Sequence, residues 1–172
     1  MNLGGKMEIR GFKAFHYPMK NRYGKVFEEN HIYTIPGELR FGNNGNGFHF
    51  CKRLEDTLRY FPGMEEEISI AKVSALGRFL ERNDEYNGYY DMYCTNKIRI
   101  DKILNRSEIV NPYLSLDEER VIRFLQGFCL TKEELEFFKL RYEDHPRIMD
   151  AISYYQEKNY DTYQKKYFIE RK

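Results

Sequence analysis

The first hundred residues alternate between apolar and polar positions with a period of two, which is the pattern of half-buried strands. The clearest example runs from Ile68 to Gly77. The pattern predicts about six mostly antiparallel strands, with a hairpin between the second and third and a polar turn at 83–88. The expected strands cover residues 7–15, 26–27, 31–35, 47–52, 68–77, 89–94 and 97–103.

One short amphipathic helix is expected among these strands, at about residues 53–61. Leu54, Leu58 and Phe61 recur at helical spacing, and a proline follows them. Just before this helix, Phe48 and Phe50 share one face of a strand and the histidine between them points to the other face. Strand and helix are close in the chain, so we expect both to contribute to one core.

Beyond Pro112 the period changes to 3.6, which predicts three helices within residues 115–157. Each begins with a recognisable N-terminal signal, either a capping box or a polar cap with an early proline. These signals are Ser115 with Glu118, Thr131 with Glu134, and Asp144 with Pro146. The sequence therefore predicts an α+β protein, with a β-rich domain at 7–108 and a small helical bundle at 109–172.

The length of the chain indicates the number of domains, and its composition indicates the type of core. At 172 residues the chain has the length of one domain or of a domain with an appendage. The 15 tyrosines and 13 phenylalanines predict a core rich in rings. No apolar run approaches the roughly 20 residues that span a bilayer, and residues 1–7 lack the apolar stretch of a signal peptide. We expect a cytoplasmic protein with no membrane partner.

The charge is nearly balanced, with a formal net charge of +1. A strongly basic nucleic-acid binder or a strongly acidic DNA mimic would show an imbalance. Overall electrostatics therefore favours neither class, although a local patch remains open. Nucleic acid is a possible partner that the charge does not favour.

Metal and thiol chemistry find little support in the sequence. The cysteines are odd in number, far apart and without C-x-x-C spacing, which disfavours a zinc site and favours reduced thiols. The four histidines also lack ligand spacing. We expect no metal and no resident cofactor. The cysteines are Cys51, Cys94 and Cys129.

The helical end offers two alternatives for binding. Tyrosine is enriched in the centres of protein interfaces, so Tyr154, Tyr155 and Tyr163 are candidate contacts for a protein partner. Helices at 131–142 and from Pro146 would also suit a helix-turn-helix that binds DNA. The recognition helix of such a motif would offer a single cation for DNA, Arg147. A helical bundle that serves only for packing is therefore the favoured interpretation.

Several motifs of the β-rich part resemble a known family. They are Gly11-Phe12-Lys13-Ala14-Phe15, Tyr33 with Gly37, Gly47-Phe48-His49-Phe50-Cys51, and Thr95-Asn96-Lys97-Ile98-Arg99-Ile100. Over residues 9–104 the chain resembles domains of unknown function that are common in phage and prophage proteins. The resemblance implies a small accessory protein of a phage or mobile element. It would act in the host cytoplasm by binding a host protein, for example to inhibit a defence component.

The same region is also similar to mono-ADP-ribosyltransferases, which bind NAD in a split β-fold. The similarity implies Arg10 or His16 on the first strand and His49 on the second as candidate catalytic residues, and Phe48, Tyr60 and Asn96 as candidate binding residues. NAD would be used only under this alternative.

The chain departs from the transferase pattern at the last strand, where Asn96 stands in place of the family's glutamate. That carboxylate stabilises the oxocarbenium-like state as nicotinamide leaves, an electrostatic role that an amide fills only in part. The sequence therefore favours binding over turnover.

Overall fold

The computed structural model describes residues 8–42, 44–60, 67–84 and 89–159. The chain forms two compact units. The first comprises Met1–Thr57 and Ser69–Leu104, and the second comprises Leu58–Ile68 and Asn105–Lys172. A sheet occupies the first unit and helices the second, which confirms the α+β class.

Seven strands form the sheet of the first unit, in the order β2-β7-β4-β1-β3-β6-β5. The pairs β1–β3, β2–β7, β3–β6, β4–β7 and β5–β6 are all antiparallel. The strands are β1 (Ile9–His16), β2 (Ile32–Thr34), β3 (Phe48–Cys51), β4 (Ile68–Ala75), β5 (Phe79–Asp84), β6 (Tyr89–Thr95) and β7 (Lys97–Ile103).

Two expectations about the strands are wrong. The predicted hairpin at 26–35 does not form, because Val26 makes an isolated bridge to Lys20 and β2 pairs with β7 instead. The expected turn at 83–88 begins inside a strand that the sequence did not reveal, β5, which pairs with β6. Residues 85–88 lie outside the described part of the chain.

An aromatic cluster forms the core of the first unit. Phe48 and Phe50 are both buried, as the alternation predicts, and the ring of Phe50 stacks on that of Tyr93 with 5.2 Å between centroids. Phe27, outside the strands, packs against Phe15 and Phe48 at 5.0 and 6.2 Å. The loop after β1 therefore contributes a large ring to the core.

The helix after β3 is shorter than predicted. It forms a single turn, α1 (Leu54–Thr57), and is followed by a turn at residues 58–60. Leu54 and Leu58 are both buried as expected. Leu58, however, belongs to the second unit. There it lies so close to Gly127 that a Cβ added to this glycine would be 2.6 Å from the Cβ of Leu58. The predicted end at Phe61-Pro62 lies outside the described residues.

The second unit contains four α-helices among the residues described. The last one continues into a π-helical turn at Ile152–Gln156 and a 3-10 turn at Glu157–Asn159. A 3-10 turn at Asn111–Leu114 follows the first. The helices are α2 (Arg106–Val110), α3 (Glu118–Gly127), α4 (Lys132–Arg141) and α5 (Pro146–Ala151).

The helix caps agree only in part with the predictions. The capping box of Thr131 with Glu134 is confirmed. Helix α3 begins instead at Asp117, whose side chain accepts from the N–H of Arg120, so the predicted box at Ser115 is wrong. Helix α5 has His145 rather than Asp144 at its N-cap, although Pro146 lies in its first turn as expected.

Candidate anion-binding site

An open concavity of about 500 Å³ lies on the first unit, and its lining includes four basic side chains. Arg10 comes from β1, Lys72 from β4 and Arg99 from β7, while Lys52 follows directly after β3. These strands are neighbours in the sheet although they are distant in the chain. We call this feature the basic concavity; its remaining lining residues are Gly11, Phe12, Asn30, Val73 and Asp101.

Strand alternation explains why β7 contributes a cation here. Ile98 and Ile100 are fully buried in the core of the first unit. Side chains alternate across a strand, so Arg99 between them emerges on the opposite face. The apolar positions of the strand thus fix the side on which the cation lies.

Arg99 is held by two carboxylates. Its Nε donates to Asp101 Oδ1 at 2.5 Å, and its Nη2 lies 3.2 Å from Glu8 Oε2. Ser74 Oγ donates to the other oxygen of Asp101 at 2.5 Å. The bond from Arg99 lowers the pKa of Glu8. This arginine is therefore already neutralised and oriented.

The other cations of the basic concavity keep most of their charge available. Arg10 makes one long contact with Glu8, at 3.4 Å. Lys52 and Lys72 form no ion pair with any residue that the structure describes. In addition, Lys72 pairs directly with Lys102 in the β4–β7 register, and like charges in that position destabilise a sheet. Such an arrangement can bind a carboxylate or a phosphate through charge-assisted hydrogen bonds.

The three candidate catalytic residues do not meet in the basic concavity. Arg10 lines it, whereas neither His16 nor His49 is among its lining residues. His16 ends β1 and exchanges backbone hydrogen bonds with Lys20. His16 and His49 therefore lie outside the lining of the basic concavity, and Arg10 is part of it.

His49 instead belongs to a half-buried group on the central strands. Its Nδ1 lies 3.2 Å from the carbonyl oxygen of Gly47, and its buried Nε2 has no hydrogen-bond partner among the described residues. Burial lowers the pKa of His49, and the charge of Lys13 lowers it further. Cys94, which pairs with His49 across β3 and β6, has a pKa raised by burial. His49 and Cys94 therefore both favour their neutral forms.

The binding residues suggested by the transferase similarity are dispersed. Phe48 is only 8% exposed and packs in the core, so its assignment to a binding face is corrected to a structural role. Tyr60 is exposed, at 44%, and is part of the second unit. Asn96 is half-buried between β6 and β7, and its Oδ1 has no hydrogen-bond partner among the described residues.

Among the candidate tyrosines of the helical end, Tyr154 exposes its ring. Tyr154 is 61% exposed and packs edge-on against the half-buried Tyr155, with 4.9 Å between centroids. The hydroxyl of Tyr155 accepts from Gln126 Nε2 at 3.2 Å. Tyr163 lies outside the described residues.

The main cation of the helix-turn-helix alternative is engaged by two carboxylates. Arg147 lies on α5, as that hypothesis requires, but its Nη1 is 2.9 Å from Glu118 and 2.6 Å from Glu119. These two carboxylates begin α3 and already engage the guanidinium. The geometry favours a packing role for α5.

Sequence reasoning identified Arg10 but missed Lys52, Lys72 and Arg99. Each of these cations occupies an ordinary polar position of a strand or turn. The alternation of polar and apolar residues therefore does not distinguish them from the other polar residues of the strands. Only strand pairing brings them together. The Lys72–Lys102 pair would have been a signal if the register had been known.

The described part of the chain contains neither a cluster of metal ligands nor a membrane-spanning helix. No group of three or more His, Cys, Asp or Glu side chains there could hold a metal ion. None of the three cysteines forms a disulfide, and all three are buried. None of the helices described is both long enough and apolar enough to cross a bilayer.

Comparison with known proteins identifies a family of unknown function. No curated protein and no solved structure matches the chain. One family model, described as a domain of unknown function (DUF7666), matches residues 9–111. The match covers more than half of the chain and contains β1 to β7 as well as the basic concavity. The chain belongs to the DUF7666 family, whose function is unknown.

Proposed function

We propose that this protein acts by binding an acidic partner protein through the basic concavity, without turning over a substrate. One observation carries the proposal: four cations line one open surface, three of them on separate strands and Lys52 directly after β3, and Lys52 and Lys72 have no ion pair with the described residues. Small-molecule pockets usually enclose most of their ligand. An open basic surface is better suited to an acidic segment of a protein.

The resemblance to phage and prophage domains supports a host protein as the partner, in the host cytoplasm. A defence component is one such target. The exposed ring of Tyr154 supports a further contact on the second unit, because tyrosine is enriched where proteins meet.

The NAD-dependent transferase is the less favoured alternative. His49 is absent from the lining of the basic concavity. The concavity's one lining carboxylate, Asp101, is held by Arg99 and Ser74. A transferase needs a carboxylate directed at the nicotinamide ribose. The arrangement therefore favours recognition over catalysis.

Fluorescence anisotropy with a labelled Glu-rich peptide of about 12 residues tests the proposal. The double charge reversal of Lys52→Glu with Lys72→Glu should weaken binding at least about tenfold, because it replaces attraction by repulsion at the centre of the site. The matched control is Lys132→Glu, an exposed lysine on α4 without an ion pair to the described residues. Equal affinity of the double reversal and the control would contradict the proposal.

Two further measurements separate the alternatives. A pull-down from host lysate should recover a partner with the wild-type chain and lose it with the double reversal. Incubation with NAD should release no nicotinamide. Release that Arg10→Ala abolishes would establish the transferase and overturn a purely binding role.

A further inference from the structure

A second basic surface lies on the loop between β1 and β2. We define the basic loop as residues 17–26. It contains Lys20, Arg22 and Lys25, and the chain has no aspartate or glutamate between Gly11 and Phe27. The near-neutral charge of the whole protein therefore conceals a local concentration of positive charge. None of these loop residues lines the basic concavity.

Two tyrosines of the basic loop expose their rings. Tyr23 is 78% exposed and Tyr17 is 50% exposed. The guanidinium of Arg22 lies over the ring of Tyr23, 4.8 Å from its centroid. Aromatic rings of this size are normally packed away, as Tyr93 and Tyr113 are here. Exposed rings among cations combine the two elements of a nucleic-acid surface.

The loop is held in a defined conformation. His16 and Lys20 exchange two backbone hydrogen bonds, at 2.8 and 2.7 Å. The side-chain oxygen of Asn21 accepts from the backbone N–H groups of Tyr23 and Lys25, both at 2.9 Å. Met19 anchors the loop by being buried. A surface that is already ordered loses less conformational entropy on binding.

The carboxylates that follow the loop are engaged elsewhere. Glu28 lies 3.2 Å from Nε2 of His31, and Glu29 accepts from the backbone N–H of Ile103 at 2.8 Å. Lys25 lies over the rings of Phe27 and Tyr33, at 5.6 and 5.0 Å. The loop thus presents three cations, of which Arg22 and Lys25 also lie over aromatic rings.

We propose that the basic loop binds single-stranded nucleic acid, with Tyr23 and Tyr17 stacking on bases and Lys20 and Arg22 contacting the phosphates. Single strands expose the faces of their bases, and stacking on aromatic side chains is largely independent of sequence. A duplex keeps those faces stacked and offers only edges and phosphates. An acidic peptide would engage the cations but not the rings. This inference concerns a site separate from the basic concavity.

Fluorescence anisotropy of the full chain tests the proposal with labelled dT20 and rU20, which distinguish DNA from RNA. Tyr23→Ala should weaken binding by about 5- to 100-fold, the range expected for one lost stacking contact. Arg22→Ala should reduce the dependence of log K on log salt by about 0.7, the value for one phosphate contact on a single strand. The matched control is Lys132→Ala, which removes one exposed cation from α4 and should leave this salt dependence unchanged. Because Tyr23 is exposed, circular dichroism should show an unchanged fold.

Three outcomes would overturn the proposal. The first is no binding of either oligonucleotide at 100 μM protein and low salt. The second is equal affinity of the wild type and Tyr23→Ala. The third is binding that the double reversal removes and Tyr23→Ala does not, which would place the oligonucleotide in the basic concavity. Competition by unlabelled dT20 but not by an equal concentration of duplex would support stacking on a single strand.

Discussion

Lys13 on β1 donates a hydrogen bond from Nζ to the main-chain carbonyl oxygen of His49 on β3, at 2.7 Å. Burial lowers the pKa of Lys13 to about 8, and the nearby thiols of Cys51 and Cys94 offset only part of that effect. The hydrogen bond thus gives the His49 carbonyl oxygen a donor, but that donor is an ammonium group whose charged form is destabilised by burial.

This relationship predicts a pH dependence of stability. The pKa of Lys13 is about 8 in the folded chain and 10.5 without the protein environment. Between these values the unfolded chain holds more protons, so the contribution of Lys13 to the free energy of unfolding rises with pH. Below pH 8 both states are protonated and the cost of burying the charge is constant. Urea titrations should show the wild type gaining stability relative to Lys13→Met between pH 8 and 10.5.

The matched control for this experiment is Lys132→Met, which changes an exposed lysine. Its stability relative to the wild type should stay constant over the same pH range. Parallel pH curves for the wild type and Lys13→Met would show that the ammonium is not desolvated and would contradict the prediction.

Gln156 should be a stabilising residue of the second unit. It is only 2% exposed, and its Nε2 donates to the carbonyl oxygens of Leu125 and Phe128, both at 2.7 Å. Its Oε1 accepts from the N–H of Leu130 at 3.0 Å. Gln156→Ala leaves three backbone groups unsatisfied, so we expect a loss of about 2–4 kcal/mol in the free energy of unfolding.

Two variants define the role of that amide. Gln156→Glu keeps the shape but removes both donors, so it should destabilise at neutral pH at least as much as alanine. Ser153→Ala, at an exposed position of the same π-helical turn, should change stability by less than about 0.5 kcal/mol. A loss below about 1 kcal/mol for Gln156→Ala in denaturant titration would mean that water replaces these bonds.

Gly47 should resist substitution for two separate reasons. Its φ is +133°, in a region that side chains rarely adopt, and a Cβ there would overlap Cys94 Sγ. Backbone strain and overpacking each cost about 1–3 kcal/mol, so Gly47→Ala should destabilise by about 2–4 kcal/mol. The loss should be smaller when measured in a Cys94→Ala background, where the sulfur is gone. A double-mutant cycle measures this coupling; strict additivity would show that the sulfur is not the obstacle.

Local signals were read correctly where neighbouring residues decide the structure. The alternation of Phe48, His49 and Phe50 predicted which rings are buried, because side-chain direction in a strand follows from the backbone alone. Thr131 with Glu134 predicted the start of α4, because both hydrogen bonds of a capping box lie within four residues.

Sequence signals failed to predict the structure where a residue or strand far away in the chain determines it. Strand β5 reads as polar from Glu81 onward, and it is a strand because β6 offers it a hydrogen-bonding edge. The capping box of Asn105 with Glu108 begins α2. It lies shortly before Pro112 and was not predicted. Glu134 also binds Arg106, with 2.7 Å between Oε1 and Nη2, a contact between residues far apart in the chain.

The sequence by itself determined the α+β class, the buried face of β3 and membership of a family of unknown function, since these depend on periodicity and local motifs. The tertiary structure alone decided the basic concavity and the exposure of the basic loop. Strand β7 lies between β2 and β4 rather than beside β6, its neighbour in the chain. That order places Arg99 near Lys72 and Arg10. The free energy that favours this strand order comes from burying aromatic and aliphatic side chains of several strands together. The spacing of apolar residues within one segment does not show which other segments it packs against.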